Sequence, residues 1–107
     1  MSEERQLKVM RLLENDPEMT QRELAGALGI SLGSANFCLK ALVDKGWIKI
    51  DNLKKNPSKL SCLYLVTPEG IGAKAKLTMR FLKRKRIEYD ELKTEIEGLE
   101  KELLRKL

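Results

Sequence analysis

The segment Leu28-Gly29-Ile30-Ser31 constrains the fold of this chain more than any other feature. Upstream of it, Thr20 precedes Gln-Arg-Glu, a capping box in which Glu23 stands at the third helical position and Met19 is placed to staple onto Leu24. That helix runs to about Leu28 and ends at Gly29, and Ser31 caps the next helix at once, with Ile30 and Ala35 as a second staple. Two short helices joined by Gly-Ile-Ser make a helix-turn-helix. A further helix comes first, with Leu7, Met10 and Leu13 at helical spacing beside Val9 and Leu12, and it stops at Asn15-Asp16-Pro17.

The helix that follows the turn carries Ala35, Leu39, Leu42 and Val43 on one stripe. Gly46 stands at the left-handed position that closes it. Beyond the glycine the period changes from 3.6 to 2, because Trp47 to Ile50 and then Leu63 to Val66 alternate as strands do. Between them Asp51 to Lys59 is rich in Asn, Lys and Pro, so the two strands form a hairpin, or wing, with a basic loop. Thr67-Pro68-Glu69 supplies a cap, a proline at the first helical position and an anion at the positive end of the helix dipole.

From Pro68 to Leu107 no further proline occurs, and the composition predicts one helix of 40 residues, about 60 Å long. Its first half offers Ala73, Leu77 and Phe81 to the small domain. In its second half Leu82, Tyr89, Leu92, Ile96, Leu99 and Leu103 follow an a/d heptad that Lys85 interrupts, and Gly98 is its weak point. The expected fold is mainly α with a small β-hairpin. Residues 1–67 are expected to form a winged helix-turn-helix domain of the DNA-binding type, and residues 68–107 one long C-terminal helix whose heptads suit a coiled-coil dimerisation segment.

Composition narrows the function. A chain of 107 residues encloses one modest core, and with no histidine, no CxxC and no paired-carboxylate cluster it lacks the usual parts of a zinc site or of acid-base catalysis. No catalytic residue, metal site or cofactor is expected. The only two cysteines, Cys38 and Cys62, lie in apolar stretches and make no disulfide framework, which points to a reducing cytoplasm. A charged N-terminus without an apolar stretch behind it, and apolar runs of only a few residues, argue against export or membrane insertion. The net charge is a modest +5 and the sequence pI is near 9.3, which argues against a protein that coats polyanions without specificity.

The series Leu24-Ala25, Leu28-Gly29-Ile30-Ser31, Leu39, Leu42, Lys45-Gly46-Trp47-Ile48 and Val66-Thr67-Pro68-Glu69-Gly70 resembles the MarR family of winged-helix transcriptional regulators over residues 5 to 75 or so. The continuation through Phe81-Leu82-Lys83-Arg84-Lys85 to the heptads from Tyr89 to Leu104 is similar to a small MarR-like subgroup associated with exopolysaccharide gene clusters. The resemblance implies a two-fold dimer on palindromic double-stranded DNA, with the third helix in the major groove and the wing on the neighbouring backbone or minor groove. Members of the family often bind small effectors between the DNA-binding and dimerisation regions. No convergent polar groups define such a pocket in this sequence, and the identity of any effector stays open.

With Ala35, Leu39 and Leu42 turned inward, the third helix presents Gly33, Ser34, Asn36, Phe37 and Lys40 outward. Asn36 suits an adenine edge, Phe37 a thymine methyl, and Ser34 either. Thr20, Arg22 and Ser31 are candidates for the phosphate backbone, although Thr20 and Ser31 are helix caps first and Arg22 is as ordinary an exposed cation as it is a phosphate ligand. Lys54, Lys55 and Lys59 of the wing offer point charges and no arginine fork, so they position the protein more than they read sequence. Cys38 reads as a small core residue.

Charge divides the long helix in two. Residues 74–86 carry seven cations and no acid, whereas residues 88–102 carry seven acids and two lysines, a net of −5. Antiparallel pairing lays one half over the other in a second copy and is the predicted arrangement, with a parallel coiled coil of the last three heptads as the alternative. The run Lys83-Arg84-Lys85-Arg86 also matches a nuclear-localisation pattern. The leading function is a cytoplasmic, homodimeric, sequence-specific regulator on double-stranded DNA. The alternative is a winged-helix module that binds a protein through Leu32, Phe37 and the long helix, with DNA contact incidental.

Overall fold

The computed structural model describes residues 1–52 and 62–107. Lys54, Lys55 and Lys59 lie outside the described residues. Ser2 opens the first helix, α1 (Glu3–Asn15), by accepting a hydrogen bond from the Arg5 amide at 3.1 Å, and Glu3 and Glu4 add negative charge where the dipole favours it. Thr20 opens α2 (Gln21–Leu28) with a complete capping box: the Glu23 amide donates to the Thr20 hydroxyl, and the Thr20 amide donates to the Glu23 carboxylate. Ser31 caps α3 (Leu32–Asp44) through the Ser34 amide.

Both helices of the turn end the same way. Gly29 (φ 67°) and Gly46 (φ 77°) take left-handed conformations. The Gly29 and Ile30 amides donate to the Gly26 and Ala25 carbonyls, and the Gly46 and Trp47 amides donate to the Val43 and Leu42 carbonyls. Each is a Schellman closure, which satisfies carbonyls that a helix end otherwise leaves orphaned. Between α2 and α3 the chain turns by 105°.

β1 (Ile48–Asn52) pairs antiparallel with β2 (Cys62–Val66), in the register Ile48 to Val66 and Ile50 to Tyr64. Ile48 and Tyr64 are buried, whereas Ile50, the partner of Tyr64 across the pair, is exposed. A hydrogen bond from the Tyr64 amide to the Pro17 carbonyl, at 3.0 Å, ties the second strand back to the loop before α2.

The last helix, α4 (Pro68–Lys106), starts from a junction that the tertiary structure tightly defines. The Thr67 hydroxyl donates to the Gly46 carbonyl at 2.6 Å and accepts from the Gly70 amide at 3.0 Å, so one side chain joins the end of α3 to the start of α4. Gly70 is required there. A Cβ on it would collide with the Trp47 carbonyl oxygen and fall 2.9 Å from Val66 Cγ1.

Met1–Leu77 is one compact unit and Thr78–Leu107 a second. The first encloses the core, built from Leu7, Val9, Met10 and Leu13 of α1, Leu24 and Ala25 of α2, Ala35, Cys38, Leu39 and Leu42 of α3, Ile48, Tyr64 and Leu77. Cys38 takes the core position, while Val43, at the edge of the same stripe, is half-buried. In the second unit no residue is buried and only Phe81 is half-buried. Among the described residues no single helix is long and apolar enough to cross a membrane.

Candidate nucleic-acid interface

The outward face of α3 follows from the inward one. Because Ala35, Cys38, Leu39 and Leu42 are buried, the helical period turns Gly33, Asn36, Phe37 and Lys40 to solvent, and all four are exposed. Phe37 is the most exposed large apolar side chain of α3, at 65%. An added Cβ on Gly33 would meet nothing within 4 Å, so the start of this face is open space.

Ser34 differs from its neighbours. It is half-buried, and its hydroxyl accepts from the Ser31 hydroxyl at 2.9 Å, so the two serines are already engaged in the cap. The Ser31-x-x-Ser34 spacing carries that signal, since a cap side chain always points at the third helical residue. Thr20, Arg22 and Ser31 are exposed around the starts of α2 and α3.

One residue that sequence reasoning missed organises this surface. Gln21, the first residue of α2, donates from Nε2 to the Tyr64 hydroxyl at 3.3 Å and lies 3.5 Å from Asn36 Oδ1, the outer limit of a hydrogen bond. It therefore links α2, the recognition face of α3 and the second wing strand. The sequence carries no local sign of this bridge, because Gln21 and Tyr64 are 43 residues apart. At the other end of α3, Lys45 Nζ lies 4.6 Å from the centroid of the Trp47 ring, a cation–π contact at the base of the wing.

Among the described residues no group of three or more His, Cys, Asp or Glu side chains converges. What the face offers is an amide, an aromatic ring and a cation at helical spacing, from Asn36, Phe37 and Lys40.

Residues 2–49 match the family model described as winged helix-turn-helix DNA-binding. The fold of this chain is a winged helix-turn-helix. Among solved structures, it is similar to a cysteine-to-serine mutant of MarR from Escherichia coli complexed with operator DNA, at 26% identity and a TM-score of 0.58, over 69% of this chain and 51% of that one. The apo form of wild-type Escherichia coli MarR matches over 92% of this chain and 76% of its own, with 26% identity and a TM-score of 0.61. The PcaV transcriptional regulator of Streptomyces coelicolor shares the fold over 95% of this chain and 74% of its own, with a TM-score of 0.73 at 18% identity. The chain thus spans about half of the operator-bound MarR chain. No curated protein sequence matches it.

The six residues expected at a dimer seam, Leu82, Tyr89, Leu92, Ile96, Leu99 and Leu103, are all exposed on the second unit. They keep their heptad spacing on one uninterrupted helix.

Proposed function

We propose that this protein is a MarR-family transcriptional regulator that binds double-stranded DNA as a homodimer on a palindromic operator, acting in the cytoplasm. The observation that carries this is the exposed face of α3, with Asn36, Phe37 and Lys40 presented by a capped winged helix-turn-helix domain and an aromatic ring held out of the core. Asn36 reads an adenine edge and Phe37 a thymine methyl. Lys40, Arg22 and the wing lysines Lys54, Lys55 and Lys59 hold phosphates, while Thr20 and Ser31 bring helix N-termini to the backbone. Ser34 accepts from Ser31 in the cap and keeps its own hydroxyl proton to donate to a base edge.

The similarity to Escherichia coli MarR, which is solved on operator DNA, supports the DNA reading. Two-fold pairing supplies the second half-site, and the exposed seam from Leu82 to Leu103 supplies the surface for it. The similarity of residues 81–104 to the exopolysaccharide-associated subgroup points to genes of that synthesis as targets.

Selection of bound duplexes from a random pool by the purified protein, at two salt concentrations, tests the proposal. An enriched palindrome, with affinity that falls steeply as salt rises, is expected. Retention of the pool without enrichment overturns sequence-specific regulation.

A further inference from the structure

In the structure the exposed apolar stripe of α4 begins well before the heptads that the sequence suggests. Leu77 is 5% exposed and faces the core, yet Ile71 is 53% exposed, and Ala75, Thr78 and Leu82 are exposed too. These four fall at positions d, a, d and a of the same heptad that continues through Lys85, Tyr89, Leu92, Ile96, Leu99 and Leu103. The stripe therefore runs from Ile71 to Leu103, and its middle is the interrupting Lys85.

We propose that α4 pairs antiparallel with α4 of a second copy of this chain, in the one register that sets Ile71 against the partner's Leu103. This rests on the homodimer reading above and specifies its geometry. In an antiparallel pair an a layer of one helix meets a d layer of the other. The register then also sets Ala75 against the partner's Leu99, Thr78 against the partner's Ile96 and Leu82 against the partner's Leu92. Large residues of the acidic half meet smaller ones of the basic half at Ala75 and Thr78, which is how facing layers interdigitate.

Lys85 meets the partner's Tyr89, where its alkyl stem lies on the ring while its ammonium, 5.1 Å from the Phe81 ring and 3.0 Å from Glu88 Oε2 in the single copy, stays at the rim near water. The same register places residues 74–86, with seven cations and no acid, alongside residues 88–100 of the partner, with six acids and one lysine. A parallel pair would instead stack Lys85 on Lys85 in the seam and set cations beside cations along the whole basic half. Charge complementarity and the reach of the exposed stripe select the same arrangement.

Site-directed crosslinking of the full chain tests this in a Cys38→Ala, Cys62→Ser background, with Cys62→Ser alone as the second background should the core substitution unfold the domain. Glu88→Cys flanks the expected two-fold axis and should crosslink to itself. Leu99→Cys should not, but should crosslink to an Ala75→Cys chain when the two are mixed. A nitroxide on Lys101→Cys supplies a readout that leaves the seam intact: the antiparallel register separates the two labels by about 40 Å along the helix axis, from 1.5 Å per residue. Light scattering accompanies each variant. A dimer in which Leu99→Cys crosslinks to itself, Glu88→Cys does not and the Lys101 labels lie within about 20 Å overturns the antiparallel register while keeping the homodimer. A monomer at tens of micromolar overturns the homodimer itself.

Discussion

The two units of this protein solve the burial problem in opposite ways. Within Met1–Leu77 every helix start has its cap, α2 and α3 close on glycines, and α1 to α3, the wing and the first turns of α4 turn apolar faces onto one core. Thr78–Leu107 has an apolar stripe, interrupted by Lys85, that is exposed along its whole length. An isolated helix draws most of its stability from packing an amphipathic face, so the second unit is completed only by another surface. The first unit holds the outward face of α3 in fixed geometry as a single copy; the second, in the proposed dimer, is what would bring two such faces together.

The sharpest way to break the first unit is at its junction with α4. Gly70→Ala forces a methyl into the Trp47 carbonyl and Val66, and should destabilise the domain by about 3 kcal/mol or more, read from Trp47 fluorescence in urea titrations. A loss below about 1 kcal/mol would mean that the junction is softer than its hydrogen bonds indicate. For the second unit, Ile96→Asp puts a charge in the seam and should weaken dimerisation at least about 100-fold, roughly 2.7 kcal/mol. Sedimentation reads the dimer, and the Trp47 signal should show the winged unit still folded.

Smaller effects test the division of labour within the recognition face. Asn36→Ala should lose about 1–3 kcal/mol of discrimination at one base pair per half-site and leave dimerisation unchanged. Lys54→Ala combined with Lys55→Ala should weaken all sequences alike and reduce the salt slope by about 1 for each phosphate that is no longer neutralised. Competition binding with a single-base operator series distinguishes the two, and exchanged outcomes would reverse the assigned roles. Gly98→Ala should stabilise the second unit by about 1 kcal/mol, seen as a higher helix melting midpoint, since its Cβ meets nothing within 4 Å. No gain there would mean that the helix surface at Gly98 is covered in the dimer.

Much of the fold was legible because its signals are local. A cap reaches three residues, a Schellman closure five, and a helical stripe repeats within each turn, so Thr20, Ser31, Gly29 and Gly46 declare their roles from their neighbours. The same holds for Cys38, whose apolar surroundings in the sequence match its buried place in α3. The Gln21 bridge to Tyr64 and the need for Gly70 are contacts between segments far apart in the chain, and no window of sequence contains both partners. Ser34 stands between these cases. Its outward position came from the helical period, but its hydroxyl was already engaged by Ser31 within the same turn.

By itself, then, the sequence determined the order of elements, the closing of each helix, the basic and acidic halves of α4 and the spacing of its seam, because hydrogen-bonding reach, residue period and charge are properties of neighbours along the chain. The sequence offered Leu77 inward and Leu82 outward; what it left to the tertiary packing is how deep that burial goes, since Ala73 and Phe81 of the same inward stripe are only half-buried, and how early the exposed face begins. Leu77 is buried while Ile71 and Leu82 are exposed, although all three have the same hydrophobic character. Burial depends on what stands opposite a side chain, and for α4 that is decided by where Thr67 and Gly70 dock its first turn.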